Sequence, residues 1–122
     1  MTNAVSALSL PKCARLLHSS EFNKVFQDTR LRVSKSAFLV LGNRNDLNRS
    51  RLGLIIGRKV ASSAVKRNSI KRIIRESFRH ISLESLDIIV LARPSSINFA
   101  KADLRGILDT LFIELKSKSR HL

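Results

Sequence analysis

The chain has no tryptophan and no tyrosine, and six phenylalanines are its only aromatic residues. Its single cysteine, Cys13, excludes an internal disulfide framework and a zinc site built on thiolates, and fits a reducing compartment such as the cytoplasm. An apolar run such as Ile88 to Ala92 has five residues, far below the ~18 that a membrane span needs. The mildly apolar start, Ala4 to Leu10, has no Lys or Arg before it and no small-residue cleavage site after it, so it reads as a loose arm rather than a signal peptide. Acidic residues are scarce. The nine that exist show no Asp-x-Asp and no tight cluster, whereas a metal-dependent nuclease needs gathered carboxylates to hold its ions. His18, His80 and His121 are scattered, and Gly57-Arg58-Lys59-Val60 lacks the spacing of a nucleotide-cradling loop. Neither a catalytic residue nor a metal ligand is expected on this chain.

What the chain has in excess is positive charge. Lys and Arg number 23 against 9 Asp and Glu, a net +14 in 122 residues. A domain this basic repels itself, and such a field ordinarily serves to meet a polyanion, nucleic acid first. The 43% hydrophobic content still suffices for one compact core.

Hydrophobic spacing gives the elements. Phe22, Val25 and Phe26 at i, i+3, i+4 predict a helix over Ser19 to Thr29, capped by Ser19 or Ser20. Ser36 to Gly42 and Arg51 to Gly57 read as strands, and the polar segment Asn43 to Arg51 between them as an exposed hairpin loop. A short extended piece is expected at Leu31 to Ser34. Ala61 to His80 reads as a helix with Ser62 or Ser63 as its cap, and Leu86 to Ala92 as a strand covered on both faces. Leu104, Ile107, Leu108, Leu111 and Leu115 mark a last helix from about Phe99 to Lys116. The order describes a compact α+β or α/β sandwich.

Half of the charge sits in one stretch. Residues 58 to 79 carry eight bases against one acid, Glu76, giving +7 of the total +14. On a wheel at ~100° per residue, Ile70, Ile73, Ile74, Ser77, Phe78 and Ile81 share one arc, and Asn68, Lys71, Arg72, Arg75 and Arg79 the arc beside it. A solvated helix face mixes signs to form i,i+4 pairs. Here only Arg72–Glu76 and Glu76–Arg79 are spaced to pair, so a polyanion partner is favoured, and the Arg fork suits phosphate. Arg58 and Lys59 fall just before the helix start, where free backbone N–H groups also attract phosphate. Phe22 and Phe26, four apart, are either core residues or a platform on which unpaired bases stack. The residues alone leave both open.

The run from Ala64 to Arg79, Ala-Val-Lys-Arg-Asn-Ser-Ile-Lys-Arg-Ile-Ile-Arg-Glu-Ser-Phe-Arg, resembles the signature helix of the bacterial ribonuclease P protein component. Arg51 to Val60 is similar to the strand that precedes it, Glu21 to Phe26 to the family's first-helix motif, and Asp87 to Arg93 to its last strand. The resemblance runs in order from about Leu16 to Leu115. It implies an α-β-β-β-α-β-α sandwich of the α+β class, with a small sheet and a left-handed β-α-β crossover, the ribosomal protein S5 domain 2-like arrangement. It implies a catalytic RNA as partner, which hydrolyses precursor tRNA with Mg²⁺ to remove the 5′ leader. The protein's part would be to bind that RNA and the leader and to lower the Mg²⁺ requirement. By position, Arg58, Lys59, Arg67, Asn68, Lys71, Arg72 and Arg75 would contact RNA, and Phe22 and Phe26 would line a leader cleft. Ser69 stands where the family's signature usually has Arg, and Lys66 is expected to supply a charge nearby.

The expected organisation is a flexible arm over residues 1–15, one RNA-binding domain over 16–116 and a frayed basic tail over 117–122. Neither a membrane nor a protein partner is implied. The rival readings are a structural RNA-binding protein of the ribosomal type, a DNA-binding regulator and a free-standing nuclease. The second is disfavoured because a strand, not a turn-joined helix, leads into the basic helix.

Overall fold

The computed structural model describes residues 10, 12–57, 59–60 and 63–122. The fold is built around Leu86–Ala92, which forms strand β4 and is buried almost throughout. Three strands precede it, β1 (Leu31–Lys35), β2 (Phe38–Arg44) and β3 (Arg51–Ile55). The helices are α1 (Ser19–Gln27), α2 (Ala64–His80) and α3 (Lys101–Ser119), with 3-10 turns at Lys12–Ala14 and Pro94–Asn98. The sheet order is β1-β2-β4-β3. β4 runs antiparallel to β2, with Val40 opposite Val90, and parallel to β3, with Gly53 opposite Ile89. Parallel neighbours need a crossover, and α2 supplies it.

The segment after β2 is therefore not a hairpin loop. β4 lies between β2 and β3, because a strand apolar on both faces belongs at the centre of a sheet, where neither its faces nor its edges meet water. The loop is tied down instead by Asn45, whose N–H donates to the Ser85 carbonyl at 2.8 Å. The tight hairpin joins β1 to β2, and Ser36 adopts the left-handed φ of 49° that its turn requires. The short extended piece expected near Leu31 is thus a full strand.

Alternation along β4 sorts the core into two layers. Leu86, Ile88 and Val90 face α2 and α3 together with Phe38, Val40 and Leu52. Between those helices the rings of Phe78 and Phe112 meet edge to face, 6.0 Å apart at 67°. Ile89 and Leu41 face the other way, towards Val25 of α1 and Leu16. α1 approaches β3 closely: a Cβ on Gly53 would stand 2.6 Å from the Phe22 ring and 3.1 Å from Leu16. Gly53→Ala is expected to push Phe22 off the sheet at a cost of about 1–2 kcal/mol, which urea denaturation would measure.

The helix ends differ from the sequence reading in three places. His18, not Ser19 or Ser20, is the N-cap of α1, because the Glu21 carboxylate reaches back to accept the N–H groups of Leu17 at 2.8 Å and His18 at 3.0 Å. α2 starts at Ala64 rather than Ala61, although its cap is as expected, the Ser63 hydroxyl accepting the Lys66 N–H. α3 starts later, at Lys101, and runs past Lys116 to Ser119. Leu115 is fully buried, and Arg44 and Lys118 tie the helix end to the sheet by bonds to the Ser119 and Arg32 carbonyls, both at 3.3 Å. Of the arm expected over 1–15, residues 1–9 and 11 lie outside the described residues, while Leu10 is buried.

Candidate nucleic-acid interface

α2 divides as its spacing dictates. Ile70, Ile74, Ser77 and Phe78 are buried against the sheet and α3, and the Ser77 hydroxyl donates to Asp109. Asn68, Arg72 and Arg79 are exposed, and Lys71 and Arg75 are half-buried along the same side. Lys66 is exposed in the first turn, Arg67 is half-buried, and Lys59 is exposed in the turn that leads from β3 to the helix. Arg58 lies outside the described residues.

Where the carboxylates go decides what this face can do. Among the described residues six of the nine form ion pairs, and none of these six pairs uses a cation of α2. Glu76 pairs with neither Arg72 nor Arg79, the two partners its spacing offered. Arg105 of α3 takes it at 3.1 Å and holds Asp109 at 3.0 Å. Among the described residues, Lys66, Lys71, Arg72, Arg75 and Arg79 have no carboxylate partner. Desolvation, and then the nearby positive charge of Arg15, push the Arg75 guanidinium below its ordinary value. This face is a row of cations held together by the core beneath it, against their own repulsion.

Arg15 was missed by the sequence reading. Its backbone bridges to Leu52 of β3, and its Nε is buried without a hydrogen-bond partner among the described residues. Nothing in the local sequence signals that it approaches Arg75, because the approach depends on the chain lying along the β3 edge.

The second missed group is a part-buried ion network around the buried Asp87. Arg51 donates from Nε and Nη2 to Asp87 at 2.9 and 2.7 Å, and from Nη1 to Glu21 at 2.6 Å. Asn45 adds a bond to Asp87 at 2.8 Å. The network ties α1 to two strands of the sheet. Hydrogen bonding to Asp87 raises the Arg51 guanidinium, burial opposes it, and the charges of Asp87 and Glu21 add to the rise. The N–H groups of His18 and Leu17, and after them Arg51, hold the Glu21 carboxyl below the ordinary glutamate value. A depressed carboxyl stabilises the fold above its unfolded-state pKa, and that contribution disappears as pH falls through the folded value. Wild type is therefore expected to lose more stability than Glu21→Gln on acidification from about pH 7 to pH 3, measured by urea denaturation at each pH.

Phe22 and Phe26 occupy different settings. Phe22 is half-buried against Gly53 and packs, with Leu39, Ile55 and Leu91, around Leu16, Val25, Leu41 and Ile89. Phe26 is 43% exposed. The first is chiefly a packing residue and the second presents its ring. Among the described residues no three His, Cys, Asp or Glu side chains gather to hold a metal ion, and no helix is long and apolar enough to cross a membrane.

Comparison with known proteins places these features in a family. The family model described as Ribonuclease P matches residues 10–116. The ribonuclease P protein component of a Marinomonas strain is 41% identical over 111 residues, covering 89% of this chain and 84% of that one. The Legionella pneumophila protein of the same name is 43% identical over 83 residues, covering 68% and 72%. Among solved structures, the Staphylococcus aureus RNase P protein is similar with a TM-score of 0.77 at 29% identity, over 86% of this chain and 97% of that one. The Thermotoga maritima RNase P protein is similar with a TM-score of 0.70 at 28% identity, over 84% and 96%.

Proposed function

The chain belongs to the ribonuclease P protein family, and from that premise we propose that it grips the RNA subunit of ribonuclease P through the cations of α2 and helps that RNA remove the 5′ leader from precursor tRNA. The observation that carries this reading is that Lys66, Lys71, Arg72, Arg75 and Arg79 have no carboxylate partner among the described residues, along one side of α2. Arg72 and Asn68 at its crest, Lys71 and Arg75 on its flank, and Lys66, Arg67 and Lys59 at its start contact RNA phosphates and sugars. Arg58 extends that list by position.

The mechanism is electrostatic and geometric. Two folded RNAs repel each other, and a cationic wedge between them lowers that repulsion and releases counterions as it binds. The leader lies on the side of the sheet that α1 leaves partly open, where Phe26 offers a ring for stacking and Phe22 holds α1 in place. Hydrolysis belongs to the RNA, with Mg²⁺ held mainly by its phosphates. The chain contributes affinity and position, and no nucleophile. It acts where that RNA is, in the cytoplasm.

The test is reconstitution with ribonuclease P RNA at low Mg²⁺, scoring cleavage of precursor tRNA with and without the chain. The reading expects cleavage only with the chain, and tighter binding of precursor than of mature tRNA by the assembled particle. Equal binding of the two would favour a purely structural RNA-binding protein. Cleavage by the chain alone would point to a nuclease.

A further inference from the structure

Two adjoining hollows separate α2 from the first turn of α3, and both are lined by Lys101, Ser69 and Ile73. The larger, of about 610 Å³, also holds Asn68 and Arg72 of the cationic face. Its carboxylate, Glu76, is already engaged by Arg105. The smaller, of about 160 Å³, adds Lys66 and the wholly buried Ser96, whose hydroxyl has no hydrogen-bond partner among the described residues. Lys101 is exposed and has no carboxylate partner among the described residues. Asp103, in the first turn of α3, lines neither hollow. Ala100 caps α3 without a side-chain acceptor, so the positive end of a 19-residue helix opens beside Lys101.

These groups make one positive groove whose walls are two different helices. We propose that the RNA-binding surface continues across this groove onto α3, and that Lys101 contacts a phosphate of the same RNA strand that Arg72 holds. The proposal rests on the RNA-binding reading given above and adds a wall to it. A phosphodiester strand fits because its charges repeat along a line. An acidic side chain of another protein would satisfy one cation and leave the opposite wall unpaired.

The experiment is equilibrium binding of the full chain to ribonuclease P RNA over a range of salt concentrations. Lys101→Ala is expected to weaken binding roughly fivefold at physiological salt and to lower the slope of log K against log salt by about one. Lys101→Arg should bind like wild type. Lys116, about 22 Å further along α3 by its rise per residue, lies beyond the ~8 Å screening length, and Lys116→Ala should leave the slope unchanged. Lys101→Ala binding like wild type while Arg72→Ala binds weakly overturns the proposal and leaves the reading of α2 standing. Equal losses in Lys116→Ala and Lys101→Ala also overturn it, because they would mark an effect of net charge. If Arg72→Ala binds like wild type as well, the RNA-binding reading falls and takes the proposal with it.

Discussion

Arg51→Ala is expected to destabilise the fold by about 3–5 kcal/mol, the cost of removing one partner from a buried ion pair. The side chain is 19% exposed and Asp87 only 7%, so the substitution leaves a buried carboxylate with Asn45 as its remaining side-chain donor. The loss is a large part of the ~5–15 kcal/mol that holds an ordinary domain together. α1 also loses its charged tether to the sheet, since Glu21 has no other ion-pair partner among the described residues. Replacing the pair together, as Arg51→Met with Asp87→Leu, should recover part of the loss, because the buried Asp87 carboxylate is then gone and only Glu21, 22% exposed, has lost its partner. Urea denaturation of the three proteins checks both statements. A loss below ~1 kcal/mol in Arg51→Ala would mean that the pair behaves like a solvated one.

The combined substitution of Lys71, Arg72 and Arg75 by Ala has the opposite profile. It should weaken binding to ribonuclease P RNA about a hundredfold or more at physiological salt, since three phosphate contacts and their released counterions disappear together. It should not weaken the fold. None of the three has a carboxylate partner among the described residues, Ala is the best helix former, and Arg75 is relieved of its desolvation and of the neighbouring Arg15. Thermal unfolding is therefore expected to occur at the wild-type temperature or slightly above it. Stability held or gained while binding collapses is the mark of residues kept for a partner at the expense of the free protein.

Much of the fold was legible in the sequence because its elements are strongly periodic. The stripe of Ile70, Ile74 and Phe78 and the continuous run Ile88 to Ala92 each state their burial locally, and the structure buries all of them but the half-buried Leu91. What was not legible depends on pairing across distance. The polar residues from Asn43 onward look like a hairpin loop in isolation. Only the insertion of β4 between β2 and β3 shows otherwise. The cap of α1 was misplaced because Glu21, in the first turn, fixes His18 and Leu17 by accepting their N–H groups, and this starts the helix at Ser19. The cationic face could be read from the wheel, but its lack of partners could not. Glu76 was free to choose Arg72 or Arg79 until α3 brought Arg105 within 3.1 Å. Arg51, Asp87, Arg15 and Lys101 drew no attention for the same reason, since each gains its meaning from a residue far away in the chain.

The most direct test of the central claim is the salt dependence of binding between the intact chain and ribonuclease P RNA, with the Lys71, Arg72 and Arg75 triple variant beside it. Four or more phosphate contacts on α2 predict that log K falls against log salt with a slope of about −4 or steeper in wild type, and that the variant is shallower by about three. A nearly flat wild-type slope, or one that the triple variant reproduces, would contradict the account.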